Sequence, residues 1–121
     1  MCIRDSVVTL PAAAAGLNYS FHLAATVTSN TFTINAASSS DTLQGHIVMI
    51  DKDNLGSVVA TNAGATLGLD MPVAADHQIV QDGDTKGRFL GTKIDYVCIT
   101  DAIWHVSGVT FHDGTLATMF T

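Results

Sequence analysis

Five histidines, His22, His46, His77, His105 and His112, are the first residues that could do acid–base or metal chemistry in this chain. No two stand at metal-ligand spacing, and no nucleophile motif accompanies them. His105, beside Trp104, and His112, in "HDG", read as surface residues, the second in a turn. The aspartates suggest calcium first. "DKDNLG" opens like a calcium loop with Asp51, Asp53 and a glycine at the sixth position, but Leu55 holds the fifth position and Asn62 the twelfth. The side-chain oxygens and bidentate acid of that loop are therefore missing. "DGDTKG" at 82–87 fails in the same way, with Lys86 fifth and Lys93 twelfth, so both stretches read as turns built by Asx residues.

Cys98, flanked by Val97 and Ile99, reads as a small buried hydrophobe on a strand. The two cysteines, Cys2 and Cys98, have no redox or metal spacing and imply no disulfide framework. "NAGATLGLD" lacks the Lys-Ser/Thr ending of a phosphate loop and leads into no helical pattern. Trp104, the only tryptophan, reads as a core anchor, with a stacking platform for a sugar or base as the alternative. No catalytic residue, metal site or cofactor is expected.

The elements that must position these residues are strands. All 11 acidic residues are Asp, with no Glu, three Lys and two Arg, while Thr is as frequent as Ala at 15. The usual solvent-facing helix formers are scarce, whereas Thr suits strands and Asp, Asn and Gly suit turns. The formal charge of −6 argues against a nucleic-acid partner, since gripping phosphates needs clustered Lys and Arg. Apolar runs stay well short of the roughly 18 residues of a membrane span, so no membrane insertion is expected. The abundance of Ala and the 7% aromatic content suggest a core of small side chains with a few large anchors.

"VVTLPAAAAGLNYSF" at 7–21 is too interrupted by Pro11 for a secretory signal, and Arg4 is offset by Asp5. It reads as a strand, a compact Ala and Gly16 connection, and a second strand with Tyr19 and Phe21 alternating against Asn18, Ser20 and His22. "TFTINA" at 31–36 repeats the alternation, and "SNT" before it predicts a hairpin between the two. "TLQGHIVMID" resumes the pattern around Gly45, a glycine that signals a bulge or close packing. "SVVAT", "TLGLDM" and "HQIV" are short strand candidates. Strands over 93–99 and 102–107 follow, joined by a turn at Thr100–Asp101, and "TLATMFT" is a short extended end. Short strands punctuated by Gly, Asn and Asp predict one all-β domain over 7–121, an antiparallel β-sandwich or small jelly-roll-like barrel.

Taken together, Leu10, Pro11, Gly16, Tyr19 and Phe21 at the start, Gly45 in the middle, and Gly91, Trp104, Val106 and Gly108 near the end form a pattern. It resembles the small C-terminal β-domains of tailed-bacteriophage virion structural proteins, tail fibres, spikes or capsid-decorating domains of the marine viral type. In that family a Leu-Pro turn leads through Gly-x-x-Tyr-x-Phe to Trp-x-Val-x-Gly and a closing Ala-Thr-Pro-Phe. The likeness spans 7–121, except that 55–85 has no counterpart and Met119 stands where the family has proline. "MCIRDS" resembles translated adaptor sequence on proteins assembled from environmental DNA. Met1–Ser6 is accordingly expected to be a non-native leader, with the native frame running on upstream of Val7. The resemblance implies a non-enzymatic virion component acting in assembly or host attachment. Its implied partners are copies of itself, with a trimer as the habit of fibres, other virion proteins or a host-surface glycan. An extended tail could add a strand to a neighbour's edge. The alternative is a secreted bacterial adhesin or carbohydrate-binding β-sandwich using Trp104, Tyr19 or Tyr96 as a sugar platform.

Overall fold

The structure, a computed structural model, describes residues 6–27, 31–51, 67–82, 86–87, 89–113 and 116–121. The expected strands at 57–61 and the loop after Asp51 lie outside these residues. Eight strands follow one another: β1 (Ser6–Thr9), β2 (Asn18–His22), β3 (Phe32–Asn35), β4 (Thr42–Asp51), β5 (Leu67–Asp70), β6 (Gln78–Gln81), β7 (Lys93–Thr100) and β8 (Ile103–His112). They form two sheets, β1-β3-β6 and β2-β7-β8-β4-β5, packed as the all-β sandwich that the composition predicts.

β7 and β8 pair antiparallel across the expected turn at Thr100–Asp101, but the other expected hairpin is absent. β2 and β3 do not pair: β2 runs antiparallel to β7, whereas β3 lies between β1 and β6 in the other sheet. In chain order β1 lies in the small sheet, β2 in the large one and β3 in the small one again, where β1 and β3 are parallel neighbours. β4 and β8 are parallel as well, in register from Thr42↔Ile103 to Asp51↔His112. A turn-rich segment between two amphipathic strands is equally suited to a hairpin and to a crossing between sheets. What decides here is where the aromatic side chains of β2 go. Tyr19 lies 6.1 Å from Trp104, and Phe21 meets Tyr96 edge-on at 5.7 Å. Both contacts exist only if β2 joins β7.

Among the described residues the core is built from branched chains rather than from Ala. Ile34, Ile47, Ile79, Ile94 and Val106 are fully buried around Trp104, Tyr96 and Met119. Of the alanines, Ala36 belongs to this cluster, while Ala12, Ala14, Ala15, Ala24, Ala25, Ala74 and Ala75 lie exposed in the crossings between strands. A methyl group offers little apolar area to drive it inward, and each additional buried CH₂ contributes about 0.8 kcal/mol. The larger side chains therefore take the interior.

One flank of the sandwich is closed by the C-terminal segment 116–121. It runs beside β6 and reaches β5, with Met119 and Phe120 buried and an isolated antiparallel bridge between Ile79 and Phe120. The opposite flank is formed by the outer strands β1 and β2, joined across one end of the sandwich by residues 10–17.

Candidate functional site

The residues of the sequence pattern take different places in the fold. Leu10, Trp104 and Val106 are buried in one cluster with Phe21 packed against it, and Tyr19 caps Trp104 at the β2 edge. Gly45 faces Val106 across the β4–β8 ladder, and Gly108 faces Ile94 across the β7–β8 ladder. Gly45 is thus a close-packing glycine with φ +117°. Gly16 takes φ +93° in the turn that donates its N–H to the Cys98 carbonyl at 3.0 Å. Gly91, at φ +94°, donates to the Leu23 carbonyl at 3.1 Å, which prolongs the β2–β7 pairing. Pro11 is exposed at the start of the end crossing.

Trp104 and Tyr96 are each at most 1% exposed, which removes both as sugar platforms; Tyr19, at 37%, is the member of that trio with accessible surface. The Trp104 indole nitrogen and the Tyr96 hydroxyl have no hydrogen-bond partner among the described residues. Burial accordingly holds the Tyr96 hydroxyl far above its usual pKa. A buried hydroxyl without a partner gives up its hydration for nothing. Tyr96→Phe is therefore expected to leave the thermal midpoint unchanged or raise it, by up to about 1 kcal/mol of stability. A clear loss by differential scanning fluorimetry would show that the hydroxyl is bonded.

On the outer face of the large sheet, Ser20, His22, Lys93 and Asp95 form a polar group with the composition of a serine relay. Its hydrogen bonds run the wrong way for one. The Ser20 hydroxyl donates to Asp95 Oδ1, and Lys93 Nζ sits 3.0 Å from the other carboxylate oxygen. His22 Nε2 lies 3.3 Å from Ser20 Oγ. Serine has one proton and it is given to Asp95, so His22 must be the donor in that contact and cannot serve as a base toward the serine. The Ser20 hydrogen bond, with help from Lys93 and against the opposing effect of burial, holds the Asp95 carboxyl below the usual range. A depressed carboxylate contributes stability above its unfolded pKa and loses it as pH falls through the folded one. Ser20→Ala should move the folded pKa upward and narrow that window, read by carboxyl NMR titration of Asp95. The exposure of the group makes any effect on global stability small.

His112, expected in a surface turn, is fully buried. β8 runs on to residue 112 with the parity of Trp104 and Val106, which carries Thr110 and His112 inward. That parity was the signal available in the sequence; the turn-like "HDG" masked it. His112 Nδ1 accepts the Gly87 N–H at 3.1 Å, so the ring proton is on Nε2, which donates to Thr110 Oγ1 at 2.7 Å. The Gly87 carbonyl accepts from Gln81 Nε2 at 3.0 Å and from Thr92 Oγ1 at 3.1 Å. Gly87 takes φ +68°, and a Cβ there would come within 2.8 Å of Thr110 Cβ and 3.0 Å of Met119 Sδ. This cluster ties the 86–87 turn into the sandwich, with His112, Thr110, Gln81 and Thr92 all buried.

Asp70 is the second buried polar anchor. Its Oδ1 accepts from Thr118 Oγ1 at 2.8 Å and its Oδ2 from the Met119 N–H at 2.7 Å. The segment beyond pairs with β6: Val80 N–H donates to the Met119 carbonyl at 2.8 Å, and Thr121 N–H to the Gln78 carbonyl at 3.0 Å. The His77 and Gln78 N–H groups both donate to the Thr121 carbonyl at 3.0 Å. Proline at 119 would have no N–H for Asp70. Met119, the departure from the resembled pattern, is thus what lets the carboxylate grip the backbone. The short extended end is folded onto its own sheet.

An open depression of about 330 Å³ lies between Thr42–Gly45 of β4 and Met71–Ala74. It opens where β5 ends: the ladder stops at Ile47↔Asp70, and Pro72 cannot donate to continue it. Its lining carries no titratable side chain. Among the described residues no group of three or more His, Cys, Asp or Glu is placed to hold a metal ion. No described helix is long and apolar enough to cross a membrane. Comparisons with protein families, with characterised proteins and with solved structures found no match.

Proposed function

We propose that this chain is a non-enzymatic structural β-domain of a tailed-bacteriophage virion, a fibre, spike or capsid-decorating domain that acts through surface contact in assembly or attachment. The observation that carries the reading is the outer face of the five-stranded sheet. Val97 and Ile99 of β7, Val109 of β8 and Leu69 of β5 all point outward from it, with Ile99 50% and Leu69 60% exposed. Meanwhile the polar side chains suited to chemistry, His112, Asp70, Gln81 and Thr92, are spent inside on holding turns and the tail. Apolar surface on a sheet face suits contact with another protein. The outer sides of β1 and β2, which no described strand pairs, add backbone groups that a neighbour can pair with.

The carbohydrate-binding alternative is weakened by the burial of Trp104 and Tyr96 and rests on Tyr19 alone. Sequencing the DNA that flanks this reading frame tests the proposal. A frame that continues upstream of Val7 into a longer β-rich chain among capsid and tail genes supports it. A frame that starts at Met1 beside a secretion or metabolic operon overturns it.

A further inference from the structure

We propose that the β6 edge is a strand-acceptor groove through which two copies of this chain exchange their 116–121 segments. The exchange does not depend on the virion reading and would hold for any assembling β-domain. The structure shows the recognition chemistry filled within one chain. The groove half consists of the Asp70 carboxylate and the backbone of residues 77–80, and the tail half of Thr118 Oγ1 and the backbone of residues 119–121. Met119 and Phe120 complete it by entering the core.

Every copy carries both halves. The bonds that the tail makes within its own chain are the bonds it would make on a second one, in a two-fold arrangement where each copy donates and accepts. In sequence, only residues 113–115 separate the end of β8 from Leu116. The choice between the two states is then one of effective concentration and of the geometry of that short connection, not of new contacts.

The groove is also selective. Asp70 reads two donors from successive residues, a hydroxyl from 118 and a backbone N–H from 119. It accepts an extended segment with Thr or Ser followed by two residues whose side chains are apolar enough to bury, the first of them not proline.

Two full-length variants separate exchange from simple self-closure. Asp70→Ala breaks the groove and keeps the tail; Met119→Pro breaks the tail and keeps the groove. Mixed in equal amounts, they should give a 1:1 heterodimer in native mass spectrometry that neither forms alone, with a thermal midpoint above both. A mixture whose masses and melting are the sum of the separate samples overturns the proposal. Should either variant fail to fold, heavy- and light-isotope copies of the unaltered chain are warmed together and cooled at about millimolar concentration, the range a short link provides internally. Mixed-mass dimers support exchange, and monomers alone overturn it.

Discussion

Gly45→Ala is expected to leave the protein unfolded or to cost more than about 4 kcal/mol, beyond the range of ordinary substitutions. A Cβ at this position would overlap the Val106 carbonyl oxygen and lie 3.0 Å from the Val106 carbonyl carbon and 3.1 Å from its nitrogen. All three are backbone atoms of the neighbouring strand, so no rotamer change makes room. The backbone is also at φ +117°, where a side chain is strained in any case. Relief would require β4 and β8 to part along a ladder that runs from Thr42↔Ile103 to Asp51↔His112, the longest in the molecule among the described strands.

Two other glycines calibrate the claim. At Gly108 a Cβ would overlap the Lys93 carbonyl oxygen and sit 3.0 Å from the Ile94 Cα, but the backbone is ordinary. Its replacement tests steric exclusion without conformational strain and should be nearly as damaging. At Gly16 the conformation is left-handed at φ +93°, yet nothing lies within 4 Å of the added carbon. Gly16→Ala should cost about 1–2 kcal/mol, the price of the conformation alone. Urea unfolding of the three variants orders these effects. A Gly45→Ala protein that unfolds within about 1 kcal/mol of the parent, against typical domain stabilities of about 5–15 kcal/mol, would mean that β4 and β8 are not in this register.

The same glycine shows what a sequence can and cannot reveal here. Alternation located β4 well, and a glycine interrupting it announced close approach, because side-chain period and steric exclusion are local properties. What Gly45 approaches is Val106, a residue far along the chain and parallel in direction, and nothing local encodes that partner. β2 and β3 fail in the same way. Each was legible as a strand, but their pairing was decided by Trp104 and Tyr96, whose rings draw β2 into the other sheet. Asp70 is the sharpest case: it sits inside the strand candidate "TLGLDM" with nothing local to single it out, and its donors stand 48 and 49 residues later. His112 is recoverable, since parity from Trp104 places it inward; the turn-like composition that follows hides the strand's last residue.

Trp104→Ala is expected to cost about 3–5 kcal/mol, the range for emptying a large aromatic site in a core that cannot collapse onto the gap. Trp104 is fully buried and holds two aromatic neighbours, Tyr96 at 6.4 Å in an edge-on contact and Tyr19 at 6.1 Å. Its loss therefore removes the indole and loosens the seat of Tyr19 on β2, an outer strand that pairs on one side with β7 alone. Chemical denaturation should show the drop with an unchanged denaturant slope if the sandwich survives. This expectation also decides how glycan binding must be tested. Trp104 is fully buried, so its replacement acts on a surface activity only through stability or through the seat of Tyr19, and binding lost in Trp104→Ala cannot distinguish a sugar platform from a scaffold. Tyr19→Ser can, because Tyr19 is 37% exposed at the sheet edge and its removal leaves Trp104 and Tyr96 in contact. Glycan binding by the parent that disappears in a folded Tyr19→Ser protein would favour the carbohydrate-binding alternative, and binding that persists in that variant would place the contact elsewhere on the sandwich.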